Sequence, residues 1–320
     1  MKIAIIGAGM AGLSCAGGLA EAGHEVILFD KGRGPGGRMS TRRMATPLGD
    51  MRFDHGAQYF TAKDPAFRAQ VDLWTDRGVV ALWPAVEHEA WVGVPAMNAV
   101  IKDMAERHDV RWNVHVDRVE KAGDRWLVRA GDASFAGFDV VVLAVPAEQA
   151  LPFLSLHDFD MARQAMLARS QPCWTGMFSF AEPLATAEQI VRDRGFVAWA
   201  ARSASKPGRE AAEGWVVQAN PLWSANHIED DKDSVAQALL RGLGTALGLA
   251  GLHPVTATAH RWRYAMSAGL GIGSMWNPRA RIGACGDWLI GPRVECAWLS
   301  GRDIARKIGA DQAALQSDPC

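Results

Sequence analysis

The chain has 320 residues, 49% of them hydrophobic and 22% charged, with a formal net charge of -1. That length allows two lobes with sizeable cores, and the charge balance gives no support to a nucleic-acid or membrane-surface partner. Five cysteines (Cys15, Cys173, Cys285, Cys296, Cys320) without any C-x-x-C spacing argue against a disulfide framework and a cysteine zinc site, and fit a reducing cytoplasm.

In chain order, Lys2 to Ile6 predicts a short buried strand, Met10 to Ala22 a helix with small residues along one face, and Glu25 to Phe29 a second apolar strand. This is a βαβ unit. Further strands are predicted at Val110 to Val114, Arg118 to Ala122, Arg125 to Ala130 and Asp139 to Val145, the last too apolar to have a solvent face. Segments richer in tryptophan, Thr61 to Ala99 and Leu151 to Met266, read as an inserted second lobe containing an amphipathic helix at Ser234 to Leu247 and a surface turn at Lys206 to Glu210. Arg281 to Ala284 returns as a strand and Glu295 to Ile308 as a helix with Gly301 inside it, leaving Gly309 to Cys320 as a loose tail. The apolar N-terminus does not read as a signal peptide, because its glycines follow a turn motif, and no apolar run approaches the roughly 20 residues that span a bilayer.

Gly7, Gly9 and Gly12 form G-x-G-x-x-G between the first strand and the helix. The first glycine permits the tight turn, the second admits a pyrophosphate to the backbone, and the third lets the helix pack close to the sheet. Asp30 ends the second strand, with 17 residues between it and Gly12, where a carboxylate can accept hydrogen bonds from both hydroxyls of an adenosine ribose. These residues specify an adenine dinucleotide and leave open which one. The next stretch, "KGRGPGGRMSTRR" from Lys31 to Arg43, has four glycines and five cations. Gly36 and Gly37 can bring more bare backbone to the same ligand, and Arg38 can lay a planar fork on its phosphates.

Near the C-terminus, "GDWLIGPRVECAW" puts Gly286 and Asp287 after a strand and opens a helix near Val294. A carboxylate there would be repelled by phosphates, so Asp287 suits sugar-alcohol hydroxyls; the helix start at Arg293 to Glu295 can stabilise negative charge on a reduced ring. "FDHG" at Phe53 to Gly56 and "EHE" at Glu87 to Glu89 lack the i, i+4 spacing and third ligand of a metal site, so no metal is expected.

Together, "GAGMAG", Asp30, "GPGGR", "FDHGAQYF" and "GDW…RVECAWLSGRDIA" resemble the FAD-binding set of amine-oxidase-type flavoproteins, and specifically the renalase family. "NPLWSANHIED" at Asn220 to Asp230 and "HRWRYA" at His260 to Ala265 carry the resemblance into the second lobe. It implies an α/β fold: a Rossmann-like FAD-binding domain of the amine-oxidase and p-hydroxybenzoate-hydroxylase type (residues 1–60, 100–150 and 267–320) with an inserted α+β substrate domain (61–99 and 151–266). It places non-covalent FAD against Gly7, Gly9, Ala11, Gly12, Asp30, Lys31, Gly37, Arg38, His55, Gly56, Ala57, Val119, Gly286, Asp287, Val294 and Glu295. Here Val119 holds adenine through its backbone and Asp287 the ribityl chain.

The resemblance further implies a flavin-dependent oxidase that converts the 2- and 6-dihydro isomers of NAD(P) to NAD(P)+. Hydride passes to flavin N5, O2 becomes H2O2, and no protein acid or base is obligatory. Gln58, Tyr59, Trp262 and Tyr264 are the expected substrate contacts, and Trp174, Trp199, Trp215 and Trp223 are further aromatic candidates with a competing role in packing. The alternative is an FAD-dependent amine oxidase or desaturase-like oxidoreductase, against which the shortness of the chain and the lack of a matching lysine near "HRWRYA" speak. The expected partners are a nicotinamide dinucleotide and O2; the number of subunits is left open.

Overall fold

The computed structural model describes residues 1–86 and 89–317. The chain folds into two compact units, one of Met1–Gly37, Ile101–Ser170 and the segment from Met266 on, the other of Arg38–Val100 and Gln171–Ala265.

The first unit is built on a six-stranded sheet in the order Met275–Asn277, Ile282–Ala284, Val140–Leu143, Lys2–Ile6, Glu25–Phe29, Asp109–Arg111. All pairs are parallel except the first, which is antiparallel. Its central strands are apolar runs because a parallel sheet is covered on both faces: Ile3, Ala4, Ile5 and Val140 to Leu143 are fully buried. The helix Met10–Glu21 lies against the C-terminal helix Val294–Ser317. Small residues make that approach possible. A Cβ on Gly301 would overlap the Ala11 carbonyl oxygen, one on Gly18 would sit 2.8 Å from Ala305 Cβ, and Ser14 Oγ donates to the Trp298 carbonyl at 2.7 Å.

A three-stranded antiparallel meander (Arg118–Ala122, Arg125–Ala130, Ala133–Phe138) and the helices Ala147–Leu154 and Phe159–Leu167 complete this unit. Leu154, Met161, Ala162 and Ala165 share a core with Val119, Trp126 and Phe138. That core is why residues 151–170 fall in this unit and not in the inserted lobe.

The second unit has a five-stranded antiparallel sheet ordered Ile190–Arg194, Val197–Arg202, Gly214–Ala219, Ser170–Ser179, Thr256–Ser267, with the helix Lys232–Leu247 packed on it. The helix buries Val235, Leu239 and Leu243 against Trp174, Phe178, Trp215 and Val217. A hairpin, Thr41–Thr46 with Gly49–Asp54, belongs here as well, because Met51 and Phe53 pack on Met177 and Val216. Residues 38–60 therefore leave the unit in which the sequence alone places them.

The expected loose tail is also corrected. The C-terminal helix runs on through Gly309 to Ser317, in keeping with the helix-favouring alanine, glutamine and leucine of "ADQAALQ". Among the described residues no helix is long and apolar enough to cross a membrane.

Candidate functional site

In the first unit, the glycine loop has the shape of a phosphate cradle. Gly7 adopts φ +108°, where a Cβ would press within 2.5 Å of the Ala144 carbonyl oxygen, and a Cβ on Gly12 would overlap the Gly7 carbonyl. Gly9 differs: nothing lies within 4 Å of where its Cβ would be. Gly9 is also the N-cap of the Met10–Glu21 helix and supplies no side-chain hydrogen bond, whereas Asp64, Asp158, Asn220 and Asp231 each cap a helix with a side chain. Among the described residues no side chain caps the first turn at Gly9, which leaves its N–H groups for an anion.

Asp30 organises this loop. Its carboxylate accepts from Ala8 N and from Gly32 N, each at 2.7 Å, binding the first glycine-rich turn to the start of the second. Each oxygen keeps a further lone pair for a ribose hydroxyl. Lys31 is exposed beside it. Gly37, at φ +53°, brings its Cβ position to 3.8 Å from Gly9 Cα, so the two glycine-rich stretches meet. Val119 is different, since its carbonyl already accepts from His157 Nε2 at 2.9 Å.

Toward the C-terminus, Asp287 is buried and opens a short 3-10 turn, Asp287–Leu289. The Gly286 N–H ahead of it donates to Ser300 Oγ at 2.9 Å. Val294 and Glu295 begin the C-terminal helix, and Glu295, 1% exposed, pairs with Arg293 at 3.3 Å.

In the second unit, Arg38 is joined to the segment after Asp54. Its carbonyl accepts from Ala57 N at 2.9 Å and lies where a Cβ on Gly56 would be, while Nη1 reaches the Ala265 carbonyl at 3.3 Å. The strand Gly49–Asp54 ends before His55, and residues 55–59 are irregular. His55 stacks on Trp262 with ring centroids 5.2 Å apart, and Trp262 Nε1 donates to the His55 carbonyl at 2.7 Å. His260 meets both rings edge-on. Burial, then the neighbouring His260 and Arg42, push His55 down to about 3; burial and Arg42 push His260 down to about 4. Both rings are neutral at pH 7.

Because both histidines titrate below the ordinary value of 6.5, the unfolded chain binds more protons than the folded one between that value and about 3 to 4. Their contribution is complete above pH 6.5 and is lost as pH falls. Urea unfolding is therefore expected to show a loss of about 2 kcal/mol from the more deeply buried His55 alone between about pH 6.5 and about pH 4.5, a contribution that His55→Gln removes.

Sequence reasoning missed the most heavily bonded group in this unit. Asp54 accepts from Thr41 Oγ1 and Met97 N through Oδ1, and from Lys206 Nζ (3.3 Å) and Arg209 Nε and Nη2 (3.1 and 2.7 Å) through Oδ2. Lys206 also donates to Gln58 Oε1 at 3.1 Å, and Gln58 Nε2 donates to the Asp54 and Gly56 carbonyls. The turn at Lys206 to Glu210 is thus no solvated one: the Lys206 and Arg209 side chains are only 2% and 1% exposed. Burial alone would raise the Asp54 carboxyl, but the two cations and the Met97 N–H hold it at about 2; burial lowers Lys206 to about 8.

Of the aromatic candidates, Trp174 and Trp215 lie in the core, and Trp223 packs against it while stacking on Phe196. Trp199 instead joins Tyr59 and Trp83, with centroids 5.4 to 6.2 Å apart. Tyr264 is half-buried on the Thr256–Ser267 strand. A cavity of about 300 Å³ is lined by Arg194, Phe196, Trp223, Arg241 and Gly242 among others; of the expected residues it contains the aromatic candidate Trp223 and no assigned cofactor or substrate contact. Among the described residues no cluster of His, Cys, Asp or Glu could hold a metal; Glu87 and His88 of "EHE" lie outside them.

A strand-turn-helix dinucleotide cradle in a discontinuous α/β unit, joined in one chain to an antiparallel-sheet unit, defines a two-unit nucleotide-cofactor oxidoreductase. Residues 84–308 match the flavin containing amine oxidoreductase family and residues 5–73 the NAD(P)-binding Rossmann-like domain. The chain belongs to the flavin containing amine oxidoreductase family, and its cofactor is FAD.

A 4,4'-diapophytoene desaturase (4,4'-diaponeurosporene-forming) from Staphylococcus aureus (strain Newman) is 32% identical over 112 residues, 33% of this chain and 22% of that protein. A 4-hydroxybenzoate brominase (decarboxylating) from Pseudoalteromonas luteoviolacea (strain 2ta16) is 27% identical over 166 residues, 50% of this chain and 28% of that one. The matches thus span under a third of these relatives' length. Among solved structures, a putative protoporphyrinogen oxidase from Exiguobacterium sp. 255-15 superposes with a TM-score of 0.78 at 11% identity, over 98% of this chain and 99% of its own. Cyclohexylamine oxidase from Brevibacterium oxydans IH-35A gives 0.68 at 13% identity, over 98% and 99%. At such identities the likeness is one of fold.

Proposed function

We propose that the protein is a renalase-like oxidase that returns the 2- and 6-dihydro isomers of NAD(P) to NAD(P)+. Bound FAD supplies the two-electron acceptor at N5 and, with O2, the route to hydrogen peroxide. The cofactor assignment rests on Gly7, Gly9, Ala11, Gly12, Asp30, Lys31, Gly37, Val119, Gly286, Asp287, Val294 and Glu295 of the first unit. The open side of Gly9 supports it, as does the meeting of Gly9 and Gly37. Residues 1–37, 101–170 and 266 onward would serve as the FAD-binding domain, and the other unit as the substrate domain.

The observation that carries the substrate reading is the neutral aromatic group of His55, His260 and Trp262, next in sequence to Gln58 and Tyr59. A dihydronicotinamide ring needs a flat surface to hold it and no base to deprotonate it before its hydride leaves. Trp262 offers such a surface, and Gln58, Tyr59 and Tyr264 are assigned to substrate with it. The family match itself favours a second reading, oxidation of an amine. Lys206 and Arg209, two buried cations on one carboxylate, speak against a protonated amine as ligand near them.

The test is peroxide release in air from a panel of dihydronicotinamide isomers, ordinary NADH and primary amines. The isomers are expected to give the fastest turnover; an amine or ordinary NADH in first place overturns the assignment. Acid precipitation is expected to release the yellow chromophore into the supernatant, as a non-covalent flavin requires.

A further inference from the structure

The buried charges around Asp54 do not cancel. Asp54 is one carboxylate, and Lys206 and Arg209 are two cations, all three side chains at most 2% exposed. Among the described residues no second carboxylate bonds to either cation. Leaving a net positive charge in the interior is costly unless something of opposite polarity meets it.

What surrounds this charge is rich in donors. The Lys206 ammonium lies 5.0 Å from the centroid of Trp83, itself 1% exposed, and Trp83 packs with Tyr59 and Trp199. The indole N–H groups of Trp83 and Trp199 are both buried, and neither has a hydrogen-bond partner among the described residues. An indole nitrogen can only donate, so each orphan asks for an acceptor. On the outer side, Arg192 stacks on Trp199 at 4.9 Å, adding a further cation. Trp199 and Tyr59 are half-buried and give the cluster an open edge.

We propose that Tyr59, Trp83, Trp199 and Lys206 form a subsite for a planar ring bearing an oxygen acceptor, a carboxylate or a carboxamide. The aromatic walls take the ring faces, the two indole N–H groups and the ammonium take the oxygen, and Asp54 and Gln58 hold Lys206 in position. The inference rests on the dihydronicotinamide reading for the identity of the ring, whose carboxamide is such an acceptor. The donor set itself stands apart from that reading.

The test is calorimetric titration of the flavin-loaded protein with three pyridines that share a ring: nicotinate, nicotinamide and 3-methylpyridine. Nicotinate is expected to bind about tenfold or more tightly than 3-methylpyridine, with nicotinamide between them. Lys206→Met should weaken nicotinate about tenfold and leave 3-methylpyridine unchanged, and Trp199→Phe, which keeps the ring but loses the N–H, should weaken nicotinate and nicotinamide several-fold. Melting temperatures at or above that of the parent protein would show both variants folded. Equal binding of the three ligands, no binding of nicotinate, or variants that bind nicotinate like the parent protein overturns the proposal. The expected pattern, seen in a protein whose flavin no dihydronicotinamide reduces, keeps the subsite and removes the oxidase reading; the reverse result does the opposite.

Discussion

Replacing Asp54 with asparagine is expected to cost about 3–5 kcal/mol of folding free energy, because it leaves Lys206 and Arg209 buried without their carboxylate. The carbonyl of the new amide could still accept from Thr41 and Met97, so the loss belongs to the charge and not to the fold of the hairpin. Lys206→Met should behave in the opposite way. Burial pushes this ammonium down to about 8 despite Asp54, so on balance the folded protein disfavours it, and its removal leaves Asp54 paired with Arg209. The expected result is unchanged stability or a gain of about 1–3 kcal/mol, read from urea midpoints at neutral pH.

The pH dependence follows with a definite sign. Between about 8 and the ordinary value of 10.5 the unfolded chain keeps a proton on Lys206 that the folded chain has lost, so this group favours folding as pH rises through that window. Below about 8 its full cost is present. Asp54 acts at the other end, its stabilisation complete above its ordinary value of 3.8 and lost as pH falls through about 2. In the double variant Asp54→Asn with Lys206→Met, part of the single-variant loss should return, since one buried cation then lacks a counter-charge instead of two.

The second large effect separates two glycines of one motif. Gly9→Ala is expected to leave the fold intact, because Gly9 has φ −84° and nothing within 4 Å of its Cβ position. The added methyl would instead occupy the space assigned to the pyrophosphate. Losing two charge-assisted backbone contacts there corresponds to about a hundredfold or more in FAD affinity. Gly12→Ala should do something else: its Cβ overlaps the Gly7 carbonyl, so helix and turn must move apart, and stability itself should fall. Flavin absorbance per protein and urea midpoints, measured on both variants, distinguish the two outcomes. Equal loss of stability in both would contradict the roles given to these glycines.

The contrast between these residues explains what was legible in the sequence. The glycine cradle lies within one strand-turn-helix, so its spacing and its surroundings could be read together, and Asp30 followed from the end of the next strand. The Asp54 network could not be read this way. Lys206 and Arg209 lie 152 and 155 positions from Asp54, in a Lys-Pro-Gly-Arg turn whose composition is that of a solvated loop. Only the tertiary fold buries them.

The boundary of the second unit was hidden for a related reason. Met51 and Phe53 alternate with polar residues as in any half-buried hairpin, and the pattern does not say which core, here that of Met177 and Val216, receives them. Among the tryptophans, Trp174 and Trp215 went to the core and Trp199 did not, though all three lie on strands of the same sheet. Side-chain type alone does not separate them; the partner of each indole N–H does. Trp174 and Trp215 donate to the His227 carbonyl and to Glu213, while Trp199 has no acceptor among the described residues.

The oxidase reading stands or falls on anaerobic mixing of the yellow protein with each dihydronicotinamide isomer, followed at the flavin absorbance band. Complete bleaching by the 2- and 6-dihydro isomers is expected well before ordinary NADH acts, with colour and stoichiometric peroxide returning on admission of oxygen. A flavin that stays oxidised with every isomer yet bleaches with an amine would contradict it.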